Sequence, residues 1–117
     1  MANDQSSVSL VDQAVLHFTL GEEQKAETML EQFLADCPED LAAWRALAEI
    51  RLAKKDLKAA EQACRKALTL NADDLTSTVS LARILVAQGD KDGAEEASAK
   101  ARILGWKDEL AQEPKSE

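Results

Sequence analysis

The sequence contains few residues that interrupt a helix. Its 117 residues include only two prolines and four glycines, no tyrosine, two phenylalanines and two tryptophans. Proline and glycine are the residues that most disfavour a helix interior, so long stretches of this chain can be helical without a break. Alanine and leucine dominate the hydrophobic residues, which make up 45% of the chain. This composition predicts a nearly all-α protein.

The sequence also lacks a cluster of basic residues. Its net charge is −8 and its pI about 4.7, and the densest basic run, Lys54–Lys55, is followed at once by Asp56. An acidic protein is repelled by phosphate backbones and anionic headgroups, so we expect neither a nucleic-acid nor a membrane partner. No apolar run approaches the roughly 20 residues of a membrane span. The opening residues do not resemble a signal peptide, and we expect a cytoplasmic protein.

Residues that carry enzymatic chemistry are sparse. His17 is the single histidine, with no nucleophile in view that it could activate, and the glycines are too scattered to form a phosphate-binding loop. Cys37 and Cys64 fit neither a metal-ligand spacing nor a disulfide framework. We expect Cys64 to be a small core residue and Cys37 to lie in a loop beside Pro38. The sequence therefore predicts no catalytic residue, no metal site and no cofactor.

The most informative feature of the sequence is an internal repeat of 34 residues. Small and acidic residues recur together at this spacing, which chance would not produce in several columns at once. The clearest columns are Ala14–Ala48–Ala82, Ala26–Ala60–Ala94, Glu27–Glu61–Glu95 and Asp40–Asp74–Asp108. They divide the chain into three units, 7–40, 41–74 and 75–108. A polar segment, 1–6, which we expect to be disordered, precedes them, and a tail, 109–117, follows.

Each unit has the pattern of two helices joined by a turn. The first helices are predicted at 7–20, 41–54 and 75–88, and the second helices at 23–36, 57–70 and 91–104. The alanine columns place small side chains where antiparallel helices cross, which lets the two backbones approach closely. A hairpin of this size cannot cover its own apolar face, so the hairpins must stack to form a core.

In these features the sequence resembles the tetratricopeptide repeat (TPR) proteins. The family pattern is W-x2-L-G-x2-Y, then A-x3-F, then a small residue and a proline. The middle unit matches it best, through Trp44, Leu47, Ala48, Ala60, Cys64 and Ala67. Gln13, Thr78 and Trp106 depart from the usual leucine, tryptophan and proline. The resemblance implies an all-α, right-handed superhelix (α-solenoid) of three stacked hairpins that binds other proteins.

The tail allows a short addition to this fold. The twelve residues after Gly105 suffice for about two helical turns before Pro114. They can form a helical stub in which Trp106 and Leu110 fold back over the last hairpin. The sequence leaves open whether this stub caps the last repeat.

The resemblance also implies which side chains line the binding groove, because in the family the first helix of each unit lines the concave face. The matching positions are Val8, Val11, Val15, Phe18, Ala42, Arg45, Glu49, Leu52, Thr76, Val79, Arg83 and Val86. Leu10, Ala14 and Leu20 already give the opening helix a core stripe, so its second apolar stripe needs another role. We expect this second stripe to face the groove, since exposed apolar patches usually mark contacts.

The predicted function is that of a non-enzymatic adaptor or scaffold. Its groove would bind a peptide or amphipathic helix of another protein, with Arg45 and Arg83 at the polar margins. One subtype, the receptor for chaperone C termini, is disfavoured because its lysine, asparagine and arginine clamp is absent. The matching positions hold Val11, Val15, Ala46, Thr76 and Ser80. The alternative is a self-assembling scaffold in which the apolar first helix pairs with a second copy of the protein.

Overall fold

The fold is an all-helical stack of three antiparallel hairpins. The computed structural model describes the backbone of residues 6–112 and the side chains from Leu10 onward. The segment predicted to be disordered is 1–6: residues 1–5 lie outside the described residues, as does the side chain of Val8, and Ser6 is the first residue of a helix. The helices are α1 (Ser6–Thr19), α2 (Glu23–Asp36), α3 (Leu41–Ala53), α4 (Leu57–Leu70), α5 (Leu75–Gln88) and α6 (Lys91–Gln112). Successive helices pack together along the chain, and α3 also contacts α1 and α5. The predicted all-α fold of three hairpins is confirmed.

The turn inside each hairpin requires a left-handed backbone. The residues that adopt it are Gly21, Lys55 and Gly89, with φ values of 87°, 65° and 81°. Glycine reaches this region without a steric penalty, whereas Lys55 must tolerate a Cβ there. The three positions are 34 residues apart, so the same left-handed turn recurs in every hairpin, and glycine occupies it in the first and third. The same spacing explains why the predicted helix bounds agree with five of the six observed helices to within one residue.

Small side chains fill the contacts between helices. The alanines with no exposed surface are Ala14, Ala26, Ala43, Ala60, Ala63 and Ala67. Cys64 is buried among them, as predicted, and its thiol donates a hydrogen bond to the carbonyl oxygen of Ser77 at 2.9 Å. Burial raises the pKa of this thiol to about 12, so it remains protonated and unreactive. Cys37 is exposed where α2 ends.

The prediction that Leu20 belongs to the core stripe of the opening helix is wrong. The helix ends at Thr19, and Leu20 lies in the following turn with most of its side chain exposed. Ala14 is buried as predicted, and Leu10 is half-buried. The periodicity that places residues on one helical face applies only as far as the helix extends, so it does not describe Leu20.

The C-terminal helix is eight residues longer than predicted. It continues through Gly105 to Gln112, so the boundary expected at 108 falls inside α6. Trp106 and Leu110 are exposed and do not fold back over the hairpin as a separate cap. The helices α2 and α4 end just before Pro38 and Asn71, two residues that disfavour a helix interior. At the equivalent point of α6, Gly105 is followed by residues that favour a helix, so the helix continues.

Enlarging a side chain at a helix crossing should destabilise the fold. Ala60 has no exposed surface, so Ala60→Leu should lower the free energy of unfolding by about 1–3 kcal/mol through overpacking. Denaturant unfolding followed by circular dichroism measures this loss. Ala35→Leu, on an exposed position of α2, is the matched control and should change stability by less than about 0.5 kcal/mol. An equal effect of the two changes would contradict the close packing at Ala60.

Candidate partner-binding site

The first helices of the three hairpins lie side by side and form one continuous surface. Because α3 contacts both α1 and α5, positions 34 residues apart align in rows across this surface. We call it the first-helix face and define it by three rows, which contain nine of the twelve predicted groove positions. The rows are Val11–Arg45–Val79, Val15–Glu49–Arg83 and Phe18–Leu52–Val86.

In the first row, the prediction that Val11 is a groove residue is wrong. Its side chain is only 8% exposed and belongs to the core. The helix α1 packs against α2 and also against α3, so its buried surface is wider than a single stripe and includes Val11. Val79, at the other end of the row, is exposed as predicted.

Arg45, in the middle of this row, is bound within the protein. Its Nε donates to Asp74 Oδ2 at 3.0 Å, and its Nη2 donates to Oδ1 of the same carboxylate. Burial alone would raise the pKa of Asp74, but hydrogen bonds from Arg45 and Ser77 more than offset it and hold the pKa below its usual value. The pair is therefore ionised and ties α3 to the start of α5. Arg45 therefore keeps 37% of its side chain exposed on this face, but its guanidinium group is already bound to a carboxylate of the protein.

The second row has one apolar and two charged side chains. Val15 is 40% exposed. Arg83 Nη1 donates to the two carboxylate oxygens of Glu49 at 3.1 and 3.2 Å, and Ser80 Oγ donates to Glu49 Oε2 at 2.6 Å. Such an exposed ion pair contributes at most about 1 kcal/mol, so Arg83 can exchange Glu49 for the carboxylate of a ligand.

The third row is apolar in all three hairpins. Phe18 and Leu52 are half-buried against the core, and Val86 is largely exposed. The exposed Val15 and Val79 lie on the same face, in the second and first rows. The row thus offers apolar contacts across the whole width of the stack, whereas Arg45, Glu49 and Arg83 interrupt the other two rows.

In the column of glutamates at 27, 61 and 95, the first two each link their hairpin to the next one. Glu27 accepts a hydrogen bond from Arg51 Nε at 3.0 Å and is also paired with Lys54. Burial raises the pKa of Glu27, but hydrogen bonds from these two cations outweigh it and lower the pKa overall. Glu61 accepts from Gln88 Nε2 at 3.1 Å. The sequence predicted this column without indicating its role, which depends on the spacing between hairpins.

The candidate metal ligands of the described residues do not cluster. No group of three His, Cys, Asp or Glu side chains within residues 6–112 could hold a metal ion. His17, the single histidine, pairs with Glu22 in the following turn. In the described part of the chain, no helix is both long and apolar enough to cross a membrane.

The stacked hairpins and their shared face define a helical-repeat protein, a class in which extended surfaces of this kind bind other proteins. The sequence profile of the tetratricopeptide repeat family matches residues 11–75, more than half of the chain. The chain belongs to that family. No curated protein sequence matches it at a significant level.

Solved structures of secretion chaperones have the same fold. PcrH, in complex with the chaperone-binding region of PopD, superposes with a TM-score of 0.81 at 17% identity, over 88% of this chain and 77% of PcrH. The Yersinia enterocolitica type III secretion translocator chaperone SycD, in an alternative dimer, gives 0.82 at 17% identity, over 97% and 81%. SycD in complex with a peptide of the translocator YopD gives 0.82 at 16%, over 96% and 82%. At these identities the similarity concerns the fold.

Removing Asp74 should cost more stability than removing its equivalent, Asp40. Both side chains cap a helix, Asp40 by accepting from the backbone N–H of Ala43 at 2.9 Å and Asp74 from that of Ser77 at 3.0 Å. Asp40→Ala should therefore lose about 1 kcal/mol. Asp74→Ala also removes the partner of Arg45 and should lose about 2–3 kcal/mol. Equal losses in denaturant unfolding would show that the pair with Arg45 does not stabilise the stack.

Proposed function

We propose that this protein is a non-enzymatic adaptor that binds a segment of another protein on its first-helix face. The observation that carries the proposal is the row Phe18–Leu52–Val86, which is apolar in every hairpin and is flanked by the exposed Val15 and Val79. Membership of the tetratricopeptide repeat family supports it. The complexes of PcrH with a region of PopD and of SycD with a peptide of YopD, which share the fold, support it further.

The spacing of the row indicates the form of the ligand. Packed helices lie about 8–10 Å apart, so Phe18 and Val86 are separated by about 16–20 Å. An extended peptide advances about 3.3 Å per residue, so apolar anchors about three residues apart would match the row. Arg83 can receive one acidic side chain of the ligand. Because the protein carries a net charge of −8, a ligand that is otherwise neutral or basic is favoured.

Placing a charge on the exposed Val15 should weaken partner binding without unfolding the protein. Val15→Glu should leave the melting temperature nearly unchanged, because the side chain is 40% exposed. Loss of an apolar anchor and the added charge should weaken binding by at least about 1–2 kcal/mol. Partners retained by the wild-type protein on an affinity column identify the ligand, and calorimetry then measures the change.

Two controls make this experiment decisive. Gln62→Glu adds the same charge at an exposed position of α4 and should leave binding unchanged. Val11→Glu adds it to a core position and should lower the melting temperature. A stable Val15→Glu variant that binds normally would place the partner elsewhere, and a variant that melts well below wild type would show that Val15 is part of the core.

The exposed outer surface of α1 favours a second candidate function, self-assembly through the first helix. Leu16 occupies the position of Ile50 and Ile84, which are 1% and 0% exposed because a preceding hairpin covers them. In the described structure no hairpin precedes α1, and Leu16 is 56% exposed beside the exposed Leu20. A second copy that packed its α1 against this surface would bury both leucines.

This second candidate predicts a dimer that dissociates on dilution. Leu16→Glu should give a monomer at every concentration, because the dimer would bury two unpaired charges. Light scattering over a concentration series measures the mass, and Gln32→Glu, at an exposed position of α2, should leave the dimer intact. If the dimer of the Leu16→Glu variant dissociates no more readily than the wild-type dimer, this surface is not the dimer interface.

A further inference from the structure

The longest helix carries an exposed apolar ridge that the first-helix face does not include. Beyond the point where α2 and α4 end in their hairpins, α6 continues for eight residues. Ile103, Trp106 and Leu110 are all exposed, and Trp106 is 63% exposed. Their spacing of three and four residues places them on one side of the helix. We call these three residues the α6 ridge.

A groove lies beside the ridge, between the end of α5 and the first half of α6. Its volume is about 880 Å³, and its apolar and small lining residues include Val86, Gly89, Ala94, Ser98 and Ala99. The equivalent surface of α4 is covered by α5, which buries Cys64 at the position of Ser98. Because α6 runs on as a helix, the described chain does not turn back to cover this groove.

The charged side chains along the groove have a symmetric arrangement. Glu95 and Arg102 are seven residues apart, which places them on the same side of α6 and about 10 Å apart along its axis. Ser98 and Ala99 lie midway between them. Neither Glu95 nor Arg102 has an ion-pair partner among the residues that the structure describes. In the same column, Glu27 is paired with Arg51 and Lys54, and Glu61 with Arg65 and the amide of Gln88.

We propose that this surface binds a second copy of the protein, with the two α6 helices packed antiparallel around a two-fold axis between Ser98 and Ala99. The axis places Glu95 of each copy opposite Arg102 of the other. Small residues at the crossing allow the backbones to approach closely. The interface is isologous, since the same patch of each copy contacts its counterpart.

The same axis brings each ridge into the groove of the other copy. Leu110 of one copy lies near Val86 and Gly89 of the other. Trp106 lies opposite Lys91, where the ammonium group can stack on the indole ring. A groove and the side chains that fill it are thus present on one chain, as a surface that binds a second copy of the same protein requires.

Charge exchange across the two-fold axis tests this dimer. We expect sedimentation velocity on the 117-residue chain, from about 1 to 300 µM, to show a dimer that dissociates in the micromolar range. Glu95→Arg and Arg102→Glu should each weaken it at least about tenfold, because each change places like charges opposite one another twice. The double variant, with both changes, should dimerise within about threefold of wild type. All three variants change exposed residues, and their circular dichroism melts should match wild type.

A mixture of the two single variants distinguishes this interface from any other. Neither variant should dimerise well alone, but an equimolar mixture should form a heterodimer, because every charge then faces its opposite across the antiparallel pair. Leu16→Glu, at the other end of the stack, should leave a dimer formed through α6 unchanged, whereas it should dissociate one formed through α1. A strictly monomeric wild-type protein, single variants without effect, or a mixture that remains monomeric would each overturn the proposal.

Discussion

Each hairpin of this protein depends on its neighbour to bury the small apolar side chains that line its helices. Ala26, Ala60 and Cys64 are buried only because another helix crosses directly over them at close range. Where such a neighbour is missing, the equivalent side chains are exposed, as Leu16 shows at the start of the stack. The first-helix face and the two ends are surfaces that stacking leaves uncovered, and we propose that they are the ones that bind partners.

Polar contacts between hairpins fix the positions of neighbouring helices relative to one another. The Arg45–Asp74 pair joins α3 to the capped start of α5, and Glu27 joins α2 to Arg51 on α3. These contacts hold the rows of the first-helix face in line. Arg45 is paired with the buried Asp74, whereas the partner of Arg83, Glu49, is itself exposed.

Much of this structure follows from the 34-residue period, which predicts the hairpins, five sets of helix bounds and the rows of the first-helix face. Other features depend on distances that a periodic pattern does not contain. The burial of Val11 reflects the contact of α1 with two helices, and the pairing of Arg45 joins residues 29 positions apart. The helix α6 continues through Gly105, because a glycine ends a helix only when the residues around it also disfavour one.

The central claim is that a partner protein lies across the first helices of all three hairpins. Site-specific photo-crosslinking in the native cell tests it directly, with the photoreactive residue placed in turn at Val15, Val79 and the exposed Gln62 of α4. The account predicts adducts to one and the same partner from Val15 and Val79, at opposite sides of the face, and none from Gln62. An adduct that forms from Gln62 but not from the first-helix positions would contradict it.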